Sequence, residues 1–575
     1  MTVVVAGEAG QGVKSASNAL ARCFVRAGLY VFAYPDVMSR IRGGHNFTRV
    51  RVSDSPVHSV SDRFDLLLAL DRRSVDEHQD QMVERGVIVV DGRDAPSTRR
   101  KARIFPIPLT ELARRHGGGP AFAGVVGLGA IQAFLGMDPG GMEAHLREQF
   151  GNKGKEVVQQ NVNCLRAGHK EVPERAIAEC PSALPIVTSV RKRMLLTGNQ
   201  AVACGALAAG MRFYAGYPMS PATSIMEYLA GKQQDFGLVV EQTEDEISAI
   251  NTVIGASYAG ARSMTATSGG GFSLMVEGLG LAAMTENPVV IVICQRPGPA
   301  TGFPTRTEQA ELLMCVSASQ DEFPRFIFAP GNAQQAFYST HRAFELANRF
   351  QVPAIVLSDQ QLADSLYTVD GFDLDRVSAG EDFADREWQN RPAYTYRRYL
   401  VTESGVSPRL RPGFTEQLVC CMGSEHDESG LSSEDAANRV RMHDKRMRKM
   451  VDMGDEFGEH TAYPDERETS IVVCFGSTYG AVRDAVGLLQ DGGKRVGMLH
   501  LSEVWPFPSR TVVARLARAR KVIAVEQNST GQLARLMTRM TRIRPDEVIL
   551  KYDGRPFAAE GLAERIAGTY VGRLS

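Results

Sequence analysis

The sequence has few of the features that mark metal clusters, membrane spans or nucleic-acid surfaces. Its nine cysteines are scattered along 575 residues and none forms a C-x-x-C pair, so we expect no zinc or iron–sulfur site on this chain. The apolar runs are too short or too interrupted to cross a bilayer. Basic and acidic residues are balanced, 65 against 66, which gives no indication of a nucleic-acid or membrane partner.

The chain begins without the basic and apolar leader of a secreted protein. Residues 3–5 are already an apolar, β-branched run that predicts a first strand. We therefore expect a cytoplasmic protein. The length, with 43% hydrophobic residues, predicts three or four domains with separate cores.

Strand and helix patterns divide the chain into five predicted parts. Residues 1–172 alternate β-branched runs with helical patterns, which predicts an α/β domain with a mostly parallel sheet. Residues 173–190 are polar and proline-containing and form a predicted linker. A second α/β domain is predicted at 191–372, an extended charged arm at 373–468, and a five-stranded doubly wound domain at 469–575.

A hydroxyl, a carboxylate and a guanidinium each follow a predicted strand of the second domain. Ser220 lies in residues 216–221 (G-Y-P-M-S-P), Glu246 begins a helix of small residues, and Arg296 follows a very apolar strand. The carboxyl ends of parallel strands meet at one edge of a sheet, where such folds bind small molecules. We therefore expect these three side chains to share a site.

The acid and the guanidinium also have structural explanations. Residues 243–246 (T-E-D-E) fit a capping box, in which Thr243 caps the helix and Glu246 bonds back to it. Arg296 would be poorly solvated beside the sheet and needs a carboxylate, either a structural Asp or a substrate acid. The glycine run that follows Ser268 offers free amides at a helix start, which suit an anion or a closely approaching ring.

Two glycine-containing segments of the first domain are candidates for binding. Residues 7–12 (G-E-A-G-Q-G) follow a strand and open a helix, where backbone amides hold anions. Their spacing departs from the G-x-G-x-x-G dinucleotide motif, so NAD binding, tight-turn glycines and a phosphate or interface role stay open. Residues 40–46 (R-I-R-G-G-H-N) form either a solvent-exposed turn or a loop that approaches a diphosphate or another chain.

The order of these segments resembles the α subunit of 2-oxoacid:ferredoxin oxidoreductases, specifically the 2-oxoglutarate type with a γ domain fused in front. The glycine loop and Arg42-Gly43-Gly44-His45 look like the γ segment. The segments that look like the α domains are 216–223, 241–273, 295–313, 405–409, 423–430, 505–508 and 525–533. The resemblance implies a multidomain α/β fold, with a Rossmann-like γ domain, a pyrimidine-binding domain and a transketolase C-terminal-like domain.

The resemblance also implies an activity. Such enzymes use thiamine diphosphate to decarboxylate a 2-oxoacid, reduce ferredoxin through [4Fe–4S], and deliver the acyl group to coenzyme A. The expected substrate is 2-oxoglutarate, with succinyl-CoA as product, or the reverse carbon dioxide-fixing reaction. Pyruvate or another 2-oxoacid is the sibling hypothesis. A non-catalytic nucleotide-binding module, in which Glu246 is only a helix cap, is the rival from another class.

Residue roles follow by resemblance. The acid matching Glu246 contacts the aminopyrimidine and activates the cofactor, with Tyr217 and Pro218 on the same side. The hydroxyl of the family's Y-P-I-T-P motif, here Ser220, and the arginine matching Arg296 hold the carboxylate and keto oxygen of the substrate. The segment 42–45 would help to hold coenzyme A or form an interface.

Absent motifs imply a partner subunit. The chain has no G-D-G…N stretch for magnesium and diphosphate, and residues 319–322 (S-Q-D-E) replace an expected G-H-G-like segment. The resemblance therefore implies a β subunit that brings Mg²⁺ and [4Fe–4S] and shares the thiamine diphosphate. A dimer of αβ units that reduces ferredoxin is expected, and this chain alone should be inactive.

Overall fold

The computed structural model of the protein describes residues 1–38, 43–95, 102–178, 180, 184, 192–377, 388, 391–392, 395–457, 461–463 and 469–571. The chain forms two compact units. The first contains Met1–Leu196, Asp364–Gly371 and Phe557–Glu564. The second contains Thr197–Ala363, Phe372–Pro556 and Arg565–Ser575.

The first unit contains an eight-stranded sheet. Its strands are β1 (Thr2–Glu8), β2 (Tyr30–Asp36), β3 (His45–Ser53), β4 (Phe64–Ala69), β5 (Met82–Asp91), β6 (Arg103–Ile107), β7 (Met194–Thr197) and β14 (Leu366–Val369). Their order is β6-β5-β4-β1-β3-β2-β14-β7. Strand β14 therefore comes from the chain segment that the sequence assigns to the end of the second domain.

Strand directions in this sheet differ from the prediction. Strands β6, β5, β4 and β1 are parallel neighbours, but β1–β3, β3–β2 and β2–β14 are antiparallel. Only residues 37–44 connect β2 to β3, and a parallel connection needs about a dozen residues or more. Within residues 1–172 three of the five strand pairs are parallel, as predicted, whereas the pairs formed by β3 with β1 and β2 depart from the prediction and are antiparallel.

Helices cover the sheet of the first unit. They are α1 (Val13–Arg26), α2 (Arg72–His78), α3 (Leu109–Gly117), α4 (Ala123–Phe134), α5 (Gly140–Phe150), α6 (Lys155–Lys170) and α7 (Glu174–Ala178). Helix α1 buries Ala16, Leu20 and Phe24 at helical spacing against the sheet. Among the described residues no single helix has the length and apolar composition of a membrane span, although the bent pair Leu109–Gly117 and Pro120–Phe134 passes that test together.

The second unit contains a seven-stranded sheet in the order β18-β12-β13-β11-β10-β8-β9. The strands are β8 (Phe213–Gly216), β9 (Val239–Gln242), β10 (Ser263–Thr267), β11 (Val290–Gln295), β12 (Phe326–Phe328), β13 (Ala354–Asp359) and β18 (Glu503–Trp505). All neighbours are parallel except β18, which pairs antiparallel with β12 at the edge. The helices are α8 (Gly198–Ala208), α9 (Thr223–Ala230), α10 (Gln233–Phe236), α11 (Glu246–Tyr258), α12 (Gly269–Met284), α13 (Leu312–Ser317), α14 (Ala333–Phe350) and α15 (Gln360–Asp364).

A five-stranded sheet in the order β15-β17-β16-β19-β20 completes the second unit, and this strand number agrees with the sequence prediction. Its strands are β15 (Thr461–Tyr463), β16 (Ser470–Phe475), β17 (Val496–Leu501), β19 (Lys521–Glu526) and β20 (Glu547–Leu550). Strand β15 is antiparallel and precedes the predicted domain start at 469. The accompanying helices are α17 (Thr478–Asp491), α18 (Ser509–Leu516) and α19 (Gln532–Thr541). Helix α20 (Ala559–Val571) begins in the segment Phe557–Glu564 of the first unit and ends in the second.

The charged arm packs on the second unit through buried ionic contacts. Its helix α16 spans Ala436–Met453. Lys445 and Lys449, one helical turn apart, each place Nζ 2.6 Å from a carboxylate oxygen of the buried Glu286. Arg398 donates to the backbone carbonyl of the same glutamate at 2.8 Å. The arm is therefore fixed to the end of α12 by charge pairing.

Candidate active site

Four strand ends of the seven-stranded sheet form the candidate site. Strands β11, β10, β8 and β9 are successive parallel neighbours, so their carboxyl ends lie at one edge. The chain leaves these strands towards Arg296, Ser268, Ser220 and Glu246 respectively. The structure thus brings the three predicted segments to one edge, as their positions after parallel strands predict.

Arg296 and Ser220 are in direct contact. Nη1 of Arg296 donates to the backbone carbonyl of Ser220 at 2.6 Å. The amide of the buried Asn199 donates to the carbonyl of Pro221 and to the hydroxyl of Ser224, both at 2.8 Å, and so fixes the start of the next helix. The Ser220 residue itself is exposed. Arg296 therefore depends on the loop backbone for its position, and the serine hydroxyl is left for another contact.

The start of α11 differs from the predicted capping box. Asp245 is the N-cap, and its side chain accepts a hydrogen bond from the Ser248 amide at 2.7 Å. Thr243 instead donates its hydroxyl to the carbonyl of Asp245 at 2.9 Å. The prediction that Thr243 caps the helix and Glu246 bonds back is wrong, because the chain enters the helix two residues later. Glu246 is thus not used for capping.

The Glu246 carboxylate is buried and incompletely bonded. The residue is 3% exposed, and Oε1 has no hydrogen-bond partner among the described residues. A Cβ atom added at Gly271 would lie 2.5 Å from this Oε1 and 2.0 Å from Oγ1 of Thr267. The absence of a side chain at Gly271 therefore leaves room for the carboxylate. A buried polar atom without a partner costs about 1–3 kcal/mol, which a ligand donor would remove.

Glu311 is a second acid at this edge, half-buried as a residue but with a buried Oε2 atom, and no sequence pattern indicated it. Its Oε2 also lacks a hydrogen-bond partner within the described part of the chain, and its amide donates to Oε1 of Gln295 at 3.0 Å. A Cβ at Gly269, the first residue of α12, would lie 2.6 Å from Oε1 of Glu311. Burial, and then the neighbouring Glu308, raise the pKa of the Glu311 carboxyl to about 8.

The electrostatics of the edge couple one cation to two acids. Burial lowers the pKa of Arg296, and Glu311 followed by Glu246 raise it. The raised pKa of Glu311 makes this residue mostly a neutral acid at pH 7. The site can therefore accept a negatively charged group beside Arg296 with little repulsion from Glu311.

The start of α12 adds polar groups to the same edge. The hydroxyl of Ser268 donates to the sulfur of Met219 at 2.8 Å and does not cap the helix. The amides of the first turn therefore receive no side-chain cap from Ser268, in agreement with the free amides expected there. The region resembles an anion-binding helix start with a carboxylate and a guanidinium beside it.

Comparisons with known proteins place the chain in a family. Family models match residues 2–171 (pyruvate ferredoxin/flavodoxin oxidoreductase), 204–445 (pyruvate flavodoxin/ferredoxin oxidoreductase, thiamine diphosphate-binding) and 469–562 (pyruvate:ferredoxin oxidoreductase core domain II). The 2-oxoacid:ferredoxin oxidoreductase 2, subunit alpha, of Aeropyrum pernix is 32% identical over 99% of this chain and 98% of its own length. The chain belongs to the 2-oxoacid:ferredoxin oxidoreductase α-subunit family. The resemblance found in the sequence is confirmed.

A solved structure agrees with this family assignment over the full length. The 2-oxoglutarate:ferredoxin oxidoreductase of Magnetococcus marinus, with 2-oxoglutarate, coenzyme A and succinyl-CoA bound, is 31% identical and has a TM-score of 0.92. The alignment covers 99% of each chain. The 2-oxoglutarate synthase subunit KorA of Archaeoglobus fulgidus is 34% identical over 65% of this chain and 98% of its own length. The predicted multidomain α/β fold, with a thiamine diphosphate-binding domain, is thereby confirmed.

The other predicted residues of this α subunit are placed as follows. Tyr217 is 40% exposed and Pro218 is half-buried, both on the loop after β8. Asp321, in the segment that replaces the expected G-H-G, pairs with Arg439 at 2.7 Å. A Cβ at Gly280, in the second half of α12, would lie 2.6 Å from Oγ of Ser319. Residues 319–322 thus contact the arm and the second half of α12, which is remote from the strand ends.

The glycine segments of the first unit adopt tight backbone conformations. Gly10 and Gly12 have φ values of 97° and 80°, a region that favours glycine, and Gly12 precedes α1. The amide of Ala9 donates to the carbonyl of Gly44 at 3.0 Å, so the two glycine segments are neighbours. Next to them, a cavity of about 280 Å³ is lined by Gln11, Ser15, Phe122, Gln149, Lys153 and Asn161.

The basic loop is only partly described. Arg42 lies outside the described residues, whereas Gly43 and Gly44 have positive φ values of 64° and 124°. His45 is 5% exposed, and its Nε2 lies 2.9 Å from Nε2 of His78. The imidazole is therefore directed into the unit.

Proposed function

We propose that this chain is the α subunit, with a fused γ domain, of a 2-oxoglutarate:ferredoxin oxidoreductase. The reaction converts 2-oxoglutarate and coenzyme A into succinyl-CoA, carbon dioxide and a proton, and transfers two electrons singly to ferredoxin. The reverse reaction fixes carbon dioxide. The observation that carries the proposal is the buried carboxylate of Glu246, with one unpartnered oxygen, at the same edge as Arg296 in the thiamine diphosphate-binding domain.

The choice of 2-oxoglutarate is supported by two similarities. The similar enzyme of Magnetococcus marinus binds 2-oxoglutarate, coenzyme A and succinyl-CoA, and its similarity extends over the whole chain. KorA subunits of 2-oxoglutarate synthases are 34–36% identical over 59–65% of this chain. The full-length α-subunit relatives of Aeropyrum pernix and Sulfolobus carry the broader 2-oxoacid description, so pyruvate and other 2-oxoacids belong in the substrate test.

The edge has the groups that an aminopyrimidine needs. The unpartnered Oε1 of Glu246 can exchange a proton or a hydrogen bond with a ring nitrogen, and Gly271 leaves the space beside it open. Tyr217 and Pro218 would flank the ring on the loop after β8. When bound, thiamine diphosphate supplies the nucleophilic carbon that takes up the electrons released by decarboxylation. Glu246 would hold the proton at its Oε1 atom, shielded from water.

Arg296 and Ser220 would hold the 2-oxoacid. The guanidinium supplies charge and two parallel donors for a carboxylate and a keto oxygen, and the Ser220 carbonyl fixes its orientation. The free Ser220 hydroxyl would donate to the same group. Glu311 would be mostly a neutral acid. It would therefore place no negative charge beside Arg296 that could repel an anionic substrate.

Partner subunits would complete the enzyme. We propose that a β subunit brings Mg²⁺, the diphosphate contacts and [4Fe–4S], that thiamine diphosphate is shared between the two chains, and that αβ units form a dimer. The γ domain at 1–172, with its glycine loop and residues 42–45, would help to hold coenzyme A. The 280 Å³ cavity beside the glycine loop supports this, because a mostly apolar pocket that includes a lysine suits an extended thiol carrier.

The proposed domain division has four further parts after the γ domain. They are the linker at 173–190, the pyrimidine-binding domain at 191–372, the arm at 373–468 and the transketolase C-terminal-like domain at 469–575.

The experiment is co-expression of this chain with its candidate β subunit, followed by assays with a panel of 2-oxoacids. We expect viologen or ferredoxin reduction that requires coenzyme A and thiamine diphosphate and is fastest with 2-oxoglutarate. Faster turnover with pyruvate or a branched-chain 2-oxoacid would assign a different substrate to the enzyme and leave the proposed type of reaction unchanged. Turnover by this chain without a partner would contradict the subunit proposal.

The matched control for the site is a pair of glutamates in one segment. Glu246 is buried at the edge, whereas Glu244, two residues earlier, is exposed. Glu246→Gln should abolish most turnover and Glu244→Gln should leave it unchanged. Equal turnover in both variants would remove Glu246 from the mechanism and favour its role as a packed residue only.

A further inference from the structure

Three side chains with metal-ligand atoms meet in the first unit, and of these only His45, as part of the segment 42–45, has been given a role above. His45 is the first residue of β3, and Glu77 and His78 are the last two residues of α2. Their ligand atoms all lie within 4.8 Å of one another. The Nε2 atoms of the two histidines are 2.9 Å apart, and Oε2 of Glu77 is 3.7 Å from Nε2 of His45. Both histidines are at most 5% exposed.

Neighbouring residues orient two of these three side chains. Nδ1 of His78 lies 3.0 Å from Oε1 of Gln81. An amide oxygen only accepts hydrogen bonds, so the proton of His78 is on Nδ1 and the lone pair of Nε2 faces His45. Nε of Arg73 binds Oε1 of Glu77 at 2.5 Å, which leaves Oε2 towards the histidines. Hydrogen bonds of this kind, from outside the ligand set, are typical of metal sites.

Aromatic rings pack around the imidazole of His78. Its ring centroid is 4.6 Å from that of Phe47 and 5.9 Å from that of Phe64. These contacts hold the His78 ring in place beside His45, so that the two Nε2 atoms face one another.

We propose that His45, Glu77 and His78 form a binding site for one divalent transition-metal ion, with Zn²⁺ as the best fit. Two imidazole nitrogens and one carboxylate are a ligand set that zinc binds tetrahedrally, with a fourth position for water. At zinc–nitrogen bonds of about 2.0–2.1 Å, tetrahedral geometry needs the two Nε2 atoms roughly 3.3 Å apart. The observed 2.9 Å therefore requires a shift of only a few tenths of an ångström.

The ion would connect two elements that are distant in the sequence. His45 directly follows Gly43 and Gly44, and His78 ends α2 one residue before the short 3-10 turn Gln79–Gln81. A metal bridge would fix the start of β3, and thus the end of the basic loop, to α2. The test of this inference is independent of the proposed function, because metal binding to the chain is measured without 2-oxoacid, thiamine diphosphate or coenzyme A.

The test is metal binding to the full-length chain after chelator treatment. Co²⁺ is the probe, because a tetrahedral site gives it visible absorption, and Zn²⁺ should then displace it. We expect one Co²⁺ per chain for the native sequence. His78→Ala and His45→Ala should abolish the absorption, and Glu77→Gln and Gln81→Leu should weaken Co²⁺ binding about 10–100-fold. His116→Ala, on the surface helix α3, is the matched histidine control and should bind as the native chain does.

The alternative arrangement is a direct hydrogen bond from Nε2–H of His45 to Nε2 of His78. Absence of Co²⁺ and Zn²⁺ binding by the folded native chain would establish that arrangement and overturn the metal site. Stoichiometric binding that survives Glu77→Gln and both histidine variants would place the ion elsewhere and equally overturn it. Glu77 is 40% exposed in its side chain, so Glu77→Gln retains a folded protein even if a histidine variant does not.

Discussion

Two groups of buried carboxylates in the second unit differ in what surrounds them. Glu286, at the end of α12, has an ammonium group at 2.6 Å from each carboxylate oxygen. Glu246 and Glu311, near the start of the same helix, each keep one oxygen without a partner among the described residues. A fully paired acid thus lies just beyond the end of α12, and two incompletely paired acids lie beside its first turn.

This difference in pairing indicates that Glu286 stabilises the fold, whereas Glu246 and Glu311 are available to a ligand. A buried charge is tolerated when it is paired, and the lysines of α16 perform that pairing while they attach the arm. An unpaired buried acid lowers stability and persists where a ligand completes its bonding. We therefore expect substitutions at the paired acid to affect unfolding, and substitutions at the unpaired acids to affect turnover.

The largest expected effect is on turnover, from Glu246→Gln. Loss of a positioned acid or base typically lowers the rate by about 10²–10⁴-fold. The melting temperature should stay close to that of the native chain, because Oε1 contributes no hydrogen bond to the fold. The measurement is 2-oxoglutarate-dependent viologen reduction with the β subunit present, together with thermal unfolding. A large fall in melting temperature with unchanged turnover would show that Glu246 stabilises the fold and does not take part in turnover.

The second effect is on stability, from Glu286→Gln. The substitution leaves Lys445 and Lys449 buried without their carboxylate, and breaking a buried pair typically costs about 3–5 kcal/mol. Thermal or urea unfolding of the purified chain measures it. Asp235→Asn is the control, because it breaks an exposed pair with Lys232 and should cost at most about 1 kcal/mol. Similar losses in both variants would show that burial of the Glu286 pair is unimportant.

A pH-dependent effect is expected from Glu311→Gln. Because the pKa of Glu311 is raised from 4.5 to about 8, the folded state holds more protons than the unfolded state between these pH values. The free energy of unfolding therefore falls as pH rises through this window, and the fall ends above pH 8. Glu311→Gln removes this contribution, so its stability relative to the native chain should increase towards pH 8. Unfolding curves between pH 5 and 9 measure the difference.

The Glu311→Gln variant also tests which protonation state of Glu311 supports substrate binding. If the neutral acid supports substrate binding, native turnover at subsaturating 2-oxoglutarate should decline above about pH 8, whereas Glu311→Gln should lose that decline. The control is Glu244→Gln, which replaces an exposed acid and should keep the native pH profile. Identical pH profiles for the native enzyme and Glu311→Gln would exclude Glu311 from substrate binding.

The smallest expected effect is at Ser220. Ser220→Ala removes the hydroxyl but keeps the backbone carbonyl that binds Arg296. The loss of one hydrogen bond, about 1–1.5 kcal/mol, should raise KM for 2-oxoglutarate about tenfold, with the melting temperature unchanged. Ser220→Thr keeps the hydroxyl and should restore native KM. An unchanged KM in Ser220→Ala would mean that the loop contributes only through its backbone.

Much of the candidate site could be predicted because its residues follow strands. The β-branched and apolar runs before residues 217, 243 and 296 have the length and composition of buried parallel strands, and parallel order brings their ends together. Glu311 could not be found in this way. It follows no strand, and its approach to Gly269 and Gln295 depends on how residues 296–311 cross the edge.

Local signals failed where two arrangements fit the same residues. The letters T-E-D-E allow either Thr243 or Asp245 to cap α11, and only the entry angle of the chain after β9 decides for Asp245. Likewise, β2 and β3 have compositions that suit either strand direction. Their antiparallel pairing follows from the short connection between them, a feature that alternating patterns alone underestimate.

The sequence by itself determined the family, the succession of strands and helices, and the three side chains that share an edge, because these depend on local pattern and chain order. Only the tertiary structure decided which buried acids are paired. Glu286 pairs with Lys445, which is 159 residues away in the sequence, and His45 contacts His78, which is 33 residues away. Whether a buried charge is satisfied depends on partners from distant segments, and their positions are set by packing of the whole unit, which no local pattern specifies.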